Sequence, residues 1–357
     1  MVAAPGTEHT WSEVLNTLTT GHDLDVQQAS WAMDQIMSGN ASESQLGAFL
    51  AALRAKGETV AELRGLADQM IEHAQPISIE GETLDIVGTG GDRAHTVNIS
   101  SMSSIVCAGA GAKIVKHGNR ASSSSSGAAD VMEALGVRLD LTPAQVKQVV
   151  DTAGITFCFA QTFHPSMRFA AAARRDMGIP TAFNVLGPMT NPANPRYRAV
   201  GVADPRVAPL VAGVFAERGQ QAAVFRGDDG LDELTLSTTS TVWWVRDGEI
   251  SQHTLDPVAL GLSRAPLEDL RGGDATYNAQ VVRDVLAGAT GPVRDAVLLN
   301  SGIALAVVAA GQGPGRFGAD NDLDAAVRRG IARAAESIDG GAAAAALQRW
   351  TDATHAA

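Results

Sequence analysis

From Trp11 to about His73, apolar side chains recur at three- and four-residue intervals. Val14, Leu15 and Leu18 make one stripe, and Leu46, Phe49, Leu50 and Leu53 make another. That period is helical, and no two-residue alternation interrupts it. Residues 40–45 and 57–60 punctuate the pattern with helix breaks and caps. The segment reads as a helical domain. The ten residues at the start read as a disordered tail.

At Leu84 the texture changes. Short apolar, β-prone runs at 84–87, 113–116, 137–141, 155–159, 198–202 and 222–225 alternate with helical stretches. The helices fall at 100–110, 128–135, 143–153, 165–177 and 205–218. Such alternation predicts an α/β domain with a mainly parallel central sheet and helices on its two sides. The Thr- and Trp-rich run 235–245 predicts a hairpin or edge strands. The last third returns to helices at 278–286, 293–310, 323–335 and 342–350. The alanine run at 342–346 reads as helix, since Leu347 and Trp350 give it an apolar face.

A chain of 357 residues has room for two domains. No window of 18 or more uninterrupted apolar residues predicts a membrane span, and residues 1–10 lack the charged and apolar regions of a secretory signal. Cys107 and Cys158 sit in apolar runs without partner motifs. They read as reduced core residues of a cytoplasmic protein. The net charge of −12 argues against a broad nucleic-acid face but leaves room for a local basic pocket.

Four motifs carry the candidate chemistry. Gly88-Thr-Gly-Gly-Asp92 follows the run 84–87, and Asn98-Ile-Ser-Ser101 opens the next helix. A glycine-rich turn between a strand and a helix N-terminus favours phosphate, because the backbone can approach the anion and the free N–H groups point at it. The spacing is neither the dinucleotide fingerprint nor the lysine-ending phosphate loop, and an ordinary strand–helix turn is the competing reading. Lys116-His-Gly-Asn-Arg120 ends another strand, supplies donors and positive charge, and runs into the serines 122–126. That serine run reads as an anion loop in preference to a linker, and His117 alone would serve as a hydrogen-bonded residue of the loop wall. Asp228-Asp-Gly-Leu-Asp-Glu233 suits a hard cation such as Mg²⁺, or else a solvated acidic turn. Phe163-His-Pro-Ser-Met-Arg168 leads into a helix bearing Arg174, a candidate partner for a substrate carboxylate. The turn-rich run 184–192 reads as pocket wall or hinge.

In this order GTGGD, NISS, KHGNR, SGAAD, FHPSMR, NVLGPMTNP and DGLDE resemble the anthranilate phosphoribosyltransferases, over nearly the whole chain to about Leu347. The resemblance implies a small helical domain over 11–78, joined by a helix from about 164–178, and a large α/β domain over 79–357. It also implies a homodimer joined through the helical domains. The implied reaction moves the phosphoribosyl group of 5-phosphoribosyl 1-diphosphate (PRPP) to the amine of anthranilate, as the second step of tryptophan biosynthesis. Pyrimidine nucleoside phosphorylases share the fold and a similar lysine and serine turn, so phosphate-dependent nucleoside cleavage is the alternative. A non-catalytic nucleic-acid-binding relative is a third.

Carried over by motif, PRPP would meet Gly88, Gly91, Asp92, Thr96, Asn98, Ile99, Ser100 and Ser101 in the first pair of motifs. In the second it would meet Lys116, His117, Gly118, Asn119, Arg120, Ala121, Ser122, Ser123, Ser124 and Ala128. Gly88, Asn119 and Arg174 would contact anthranilate, and Ser100, Asp232 and Glu233 would serve Mg²⁺. No residue is implied as a general base. The chain departs from the family's frequent pattern at Ser125, where Lys is common, and at Ala128, where Ser is common.

Overall fold

A computed structural model of the chain describes residues 9–121, 126–312 and 322–357. The order begins α1 (Trp11–Thr19), α2 (Val26–Met37), α3 (Glu43–Lys56), α4 (Val60–Glu72), β1 (Leu84–Gly88), α5 (Ile99–Gly109), β2 (Ile114–Gly118) and α6 (Ala128–Ala134). It continues α7 (Pro143–Ala153), β3 (Ile155–Phe159), α8 (Ala160–Phe163), α9 (Arg168–Met177), α10 (Phe183–Leu186), β4 (Tyr197–Gly201), α11 (Ala208–Glu217) and β5 (Gln221–Gly227). It ends β6 (Ser240–Arg246), β7 (Glu249–Leu255), α12 (Ala275–Leu286), α13 (Pro292–Gly311), α14 (Leu323–Asp339) and α15 (Ala342–Ala356).

Two compact units emerge. The first comprises Met1–Ala74 and His164–Leu186, and the second Gln75–Phe163 and Gly187–Ala357. In the first unit, α1 to α4 each start at a reciprocal cap: Thr10 with Glu13, Asp25 with Gln28, Ser42 with Gln45 and Thr59 with Glu62. Each cap satisfies helix-end donors and is worth about 1 kcal/mol. Thr10 thus starts α1, while residues 1–8 of the expected tail lie outside the described residues. The predicted stripes are buried: Val14 and Leu18 of α1, and Leu46, Phe49, Leu50 and Leu53 of α3. Within this unit α9 packs on α2 and α3 and ends at Gly178, whose φ of 62° closes the helix in the left-handed region.

The second unit is built on one seven-stranded sheet of order β3-β2-β1-β4-β5-β6-β7. β1 to β5 pair in parallel, and β6 and β7 add antiparallel strands at one edge. The second unit is therefore α/β with a mainly parallel sheet, and the first is helical. The chain builds outward from β1 to β3, then restarts at β4 on the other side of β1, so the strand order reverses between β1 and β4. Ligands of open α/β sheets bind beyond the carboxyl ends of strands at such a reversal. α5 packs on β1 and β2, α13 on β1, β4 and β5, and α11 on β5, β6 and β7.

Two elements differ from the sequence pattern. Residues 137–141 show the expected alternation, with Val137, Leu139 and Leu141 buried, yet they form no strand. The Arg138 N–H is taken by the Thr354 hydroxyl and the Val137 N–H by the Met132 carbonyl, so burial here comes from helix packing rather than a β-ladder. In the run 235–245 only the part from Ser240 is strand. Its hairpin partner β7 escaped notice because its residues are mostly exposed and polar. One described helix, α13, has the length and apolarity to cross a membrane, but 78% of that stretch is buried in the protein. Cys107 and Cys158 are free and buried.

Candidate active site

β1, β2, β4 and β5 all end in glycine: Gly88, Gly118, Gly201 and Gly227. Gly88 and Gly201 are register partners at the point where the strand order reverses. A Cβ on Gly201 would overlap the Asp232 carbonyl, and one on Gly88 would overlap Asp232 Oδ2. The missing side chains therefore let the segment after β5 lie across the strand ends and deliver Asp232 to the GTGGD turn and Glu233 to the start of α5.

Those carboxylates grip the turn from beneath. The Gly90 N–H donates to Asp232 Oδ2 at 2.6 Å, and the Ser100 N–H donates to Glu233 Oε1 at 3.1 Å. Both acids are nine-tenths or more buried. Desolvation and the charge of Asp92 push Asp232 up to about 7, and desolvation with the charges of Asp232 and Asp92 raises Glu233. Gly90 and Gly91 hold φ of 70° and 87°, a region open to glycine, which turns successive N–H groups of the loop.

Lys116 is buried at 1% exposure, and its Nζ donates to the Ile86 carbonyl at 2.5 Å and the Ser100 hydroxyl at 3.4 Å. Burial pulls its pKa down, opposed by Asp85 and Glu233. Asp85 lies inside β1 at 0% exposure. It accepts from the His117 N–H at 3.1 Å and from Asn191 Nδ2 at 2.8 Å, with Arg198 Nη1 4.0 Å away. Burial raises its pKa against those neighbours. Asn191 also donates to the Val115 carbonyl at 2.8 Å, so part of the turn-rich run 184–192 braces β1 to β2. Asp85 and Arg198 escaped the sequence reading, and Asn191 was read only as part of a pocket wall or hinge. The available signal was a charge inside each of two otherwise apolar strands.

The acidic run 228–233 divides. Asp228 accepts from the Thr239 and Thr241 hydroxyls, and Asp229 from the Thr235 and Ser237 hydroxyls, so this half is a hydroxyl-capped turn. Asp232 and Glu233 face the loop. No cluster of three or more His, Cys, Asp or Glu side chains suited to a metal occurs among the described residues.

The remaining candidates fall in several places. Ile99 is the buried first residue of α5, and Ser101 on the same turn is buried as well. Thr96 bridges to Arg271, and Asp92 Oδ1 accepts the Ala94 N–H. Asn119 Oδ1 accepts the Arg120 N–H, while Gly118 backs on the Phe157 ring and Ala128. Arg120 is engaged bidentately by Glu133, at 2.6 and 2.9 Å, and by Asp130 at 3.0 Å. Asp130 Oδ2 also takes the N–H groups of Ala121 and Gly127. Ser122, Ser123, Ser124 and Ser125 lie outside the described residues. Arg174 is in the helical unit, half-buried, with its guanidinium 5.0 Å over the Phe183 ring and its pKa lowered by burial.

His117 Nδ1 donates to the Gly187 carbonyl at 3.0 Å, and burial pushes its pKa down to about 4. It is neutral at pH 7 and so adds no positive charge to an anion site. The unfolded chain takes the proton near pH 6.5, so its contribution to stability is full above that pH and is lost as pH falls toward 4. We expect the wild type to lose on the order of 2 kcal/mol more than His117→Asn between about pH 7.5 and about pH 4.5. Urea melts of both proteins at the two pH values measure this, and equal losses would refute it.

Comparison with known proteins meets this geometry. Residues 80–344 match the model "Glycosyl transferase family, a/b domain", and residues 12–74 match "Glycosyl transferase family, helical bundle domain". The chain is 58% identical over 352 residues to anthranilate phosphoribosyltransferase of Arthrobacter sp. (strain FB24), covering 99% of this chain and 98% of that one. It is 54% identical to that of Thermobifida fusca (strain YX), covering 98% of each. The chain belongs to the anthranilate phosphoribosyltransferases. It is a pentosyltransferase that carries the phosphoribosyl group of PRPP to anthranilate. Among solved structures, anthranilate phosphoribosyltransferase of Thermus thermophilus superposes with a TM-score of 0.87 at 36% identity, covering 96% of this chain and 99% of that one. The Saccharomyces cerevisiae enzyme in complex with PRPP and Mg superposes at 0.86 and 27% identity, covering 98% and 99%.

Proposed function

We propose that the strand-end loops of the α/β unit hold PRPP with Mg²⁺, and that Arg174 of the helical unit holds the anthranilate carboxylate. The observation that carries this reading is the grip of Asp232 and Glu233 on the Gly90 and Ser100 N–H groups, with Lys116 beside them. It sets two carboxylates suited to a cation against the glycine-rich turn and the helix start, beside the Lys116 ammonium that suits an anion. Gly88, Gly91, Asp92, Thr96, Asn98, Ile99, Ser100 and Ser101 are assigned to the diphosphate side. Lys116, Gly118, Asn119, Ala121 and the serine run are assigned to the phosphoribosyl side, with Lys116, beside the Ser100 hydroxyl, also assigned to the phosphate groups. His117 and Arg120 belong to the same loops, His117 as a neutral wall residue and Arg120 as the partner of Glu133 and Asp130. Gly88 and Asn119 also serve anthranilate.

The donor set fits Mg²⁺. The buried carboxylates of Asp232 and Glu233 repel each other and Asp92, and a hard divalent cation relieves that repulsion. Mg²⁺ commonly takes one or two carboxylates and completes its shell with water and substrate phosphate oxygens, so Asp232, Glu233 and the Ser100 hydroxyl suffice. When bound, the ion supplies charge stabilisation for the leaving diphosphate. The relative from Saccharomyces cerevisiae is solved with PRPP and Mg, which supports the same pairing here.

The aromatic amine is neutral at pH 7, so no strong base is needed to make the nucleophile. The barrier lies in breaking the C1–diphosphate bond, where negative charge grows on the leaving oxygens. The loop N–H groups and the Lys116 ammonium oppose that charge. Arg174 is assigned the acceptor's carboxylate, and the acceptor nitrogen attacks C1 from the face opposite the leaving diphosphate. The C1–N bond forms as the C1–O bond breaks, and the amine proton leaves to solvent. We further assign a homodimer through the helical unit, where Phe169 and Ile179 are exposed, and a cytoplasmic location in which both buried thiols stay reduced.

Loss of anthranilate fluorescence with PRPP and MgCl₂ measures the roles. Arg174→Ala is expected to raise the KM for anthranilate about tenfold or more with little change for PRPP. Asp232→Ala with Glu233→Ala is expected to lower kcat/KM for PRPP by about 100-fold or more and to raise the MgCl₂ requirement. Wild-type kinetics in both variants would refute the assignment.

A further inference from the structure

We infer that Asn278, on the first turn of α12, is a positioning residue for PRPP that acts through Asn98. Asn278 is 2% exposed, and its amide is engaged at both ends. Its Oδ1 accepts the Gly273 N–H at 2.8 Å, and its Nδ2 donates to Asn98 Oδ1 at 2.9 Å, across 180 residues of sequence. Asn98 in turn donates from Nδ2 to the Ser126 carbonyl at 3.3 Å. One relay thus joins the loop before α12, the start of α5 and the strand-end loop that follows Lys116.

Asn98 is the N-cap of α5, yet its side chain makes no capping bond. An N-cap asparagine ordinarily spends its oxygen on the N–H of the second or third helical residue. Here Asn278 occupies that oxygen. The helix end is satisfied without it: the Ile99 N–H donates to the Val97 carbonyl at 2.8 Å and the Ser100 N–H to Glu233 at 3.1 Å. The same bond fixes which way the Asn98 amide faces, because its oxygen is held and its nitrogen must point toward Ser126. Its second N–H then remains for a substrate oxygen.

Backbone contacts place Asn278 for this work. The Gly272 N–H donates to the His95 carbonyl at 2.8 Å, and the Val97 N–H donates to the Leu270 carbonyl at 2.9 Å. A Cβ on Gly272 would meet the Thr96 carbonyl oxygen at 2.8 Å and Asn278 Oδ1 at 3.0 Å, so only glycine allows this approach. Arg93 and His95 hold positive φ of 60° and 53°, unfavourable for such residues, and the 270–273 segment props the loop that contains them.

The inference rests on the assignment of Asn98 to the diphosphate side, and a double-mutant cycle separates the two. KM values for PRPP and for anthranilate would be measured in the wild type, Asn98→Ala, Asn278→Ala, Asn278→Asp and the double alanine variant, with a thermal melt of each. Asn278→Asp keeps the acceptor for Gly273 and removes the donor to Asn98, so it isolates the relay from loop support. We expect Asn278→Ala and Asn278→Asp each to raise the KM for PRPP about tenfold, with anthranilate KM and kcat within about twofold. The double variant should be no worse than Asn98→Ala alone. If Asn98→Ala leaves PRPP unaffected, the diphosphate assignment falls and the relay with it. If Asn98→Ala weakens PRPP but Asn278→Asp does not, or the two alanine effects multiply, only the relay is overturned. Equal rises in both KM values for Asn278→Asp, with a lowered melting temperature, would also overturn it in favour of a purely structural role.

Discussion

Gly201→Ala is expected to reduce kcat/KM by about 1,000-fold, roughly 4 kcal/mol of transition-state stabilisation. An added Cβ there would occupy the place of the Asp232 carbonyl, which is main chain and cannot rotate away. The segment bearing Asp232 and Glu233 must lift, and with it the acceptors for the Gly90 and Ser100 N–H groups. A displacement of about 1 Å costs about 100-fold in such sites, and disturbing both of the carboxylates proposed for Mg²⁺ adds to that. The loss of folding stability should be smaller, about 1–3 kcal/mol, as for other over-packed positions. Gly88→Ala should be milder, because its Cβ would meet the end of the Asp232 side chain. Gly47→Ala, on α3 with nothing near its Cβ, is the control and should leave kinetics unchanged. Steady-state kinetics and thermal melts of the three variants give the ranking. Near-normal turnover in Gly201→Ala would mean that the acidic segment does not depend on β4 for its place.

The parts of this arrangement that the sequence announces are those encoded locally. The GTGGD turn sits between a legible strand and a legible helix, and KHGN ends another strand, so their convergence at the sheet's carboxyl edge follows from parallel topology alone. The α1 to α4 caps are equally local. What stayed hidden depends on partners remote in sequence. Asp228 and Asp232 are the same residue type within one short run; only the threonine hydroxyls at 239 and 241 around one, and the glycine turn around the other, give them different work. Asp85 reads as a blemish in an apolar strand until Asn191 and His117 arrive from later elements. Asn278 reads as an ordinary first-turn helix residue until it meets Asn98. The failure at 137–141 has the converse cause: alternating burial was present, but the N–H groups of Val137 and Arg138 go to the Met132 carbonyl and the Thr354 hydroxyl rather than to a strand.

Lys116→Met should lose about 3 kcal/mol of stability and about 100-fold or more in kcat/KM, and the two losses should part company in a second background. Buried Lys116 faces both Asp85 and Glu233, Arg198 also faces Asp85, and Asp232 adds a further buried carboxylate beside Glu233. Removing the ammonium leaves the buried carboxylates with less compensation in a region where water cannot screen them, which is far costlier than losing an exposed pair. Methionine fills much of the same volume, so the cost is electrostatic rather than a cavity. Asp85→Asn alone should also destabilise, since it strands the Arg198 charge and removes an acceptor from Asn191. Combining the two restores the wild-type charge balance, so the double variant should be more stable than the sum of the single losses by more than about 1 kcal/mol. Activity should not return with it, because the site still lacks the cation proposed to oppose charge on the leaving diphosphate. Urea melts and fluorescence kinetics on the four proteins measure both quantities. Strict additivity of the stability losses would show that Lys116 and Asp85 do not share one electrostatic group, and recovery of turnover in the double variant would show that Lys116 acts on the fold and not on the reaction.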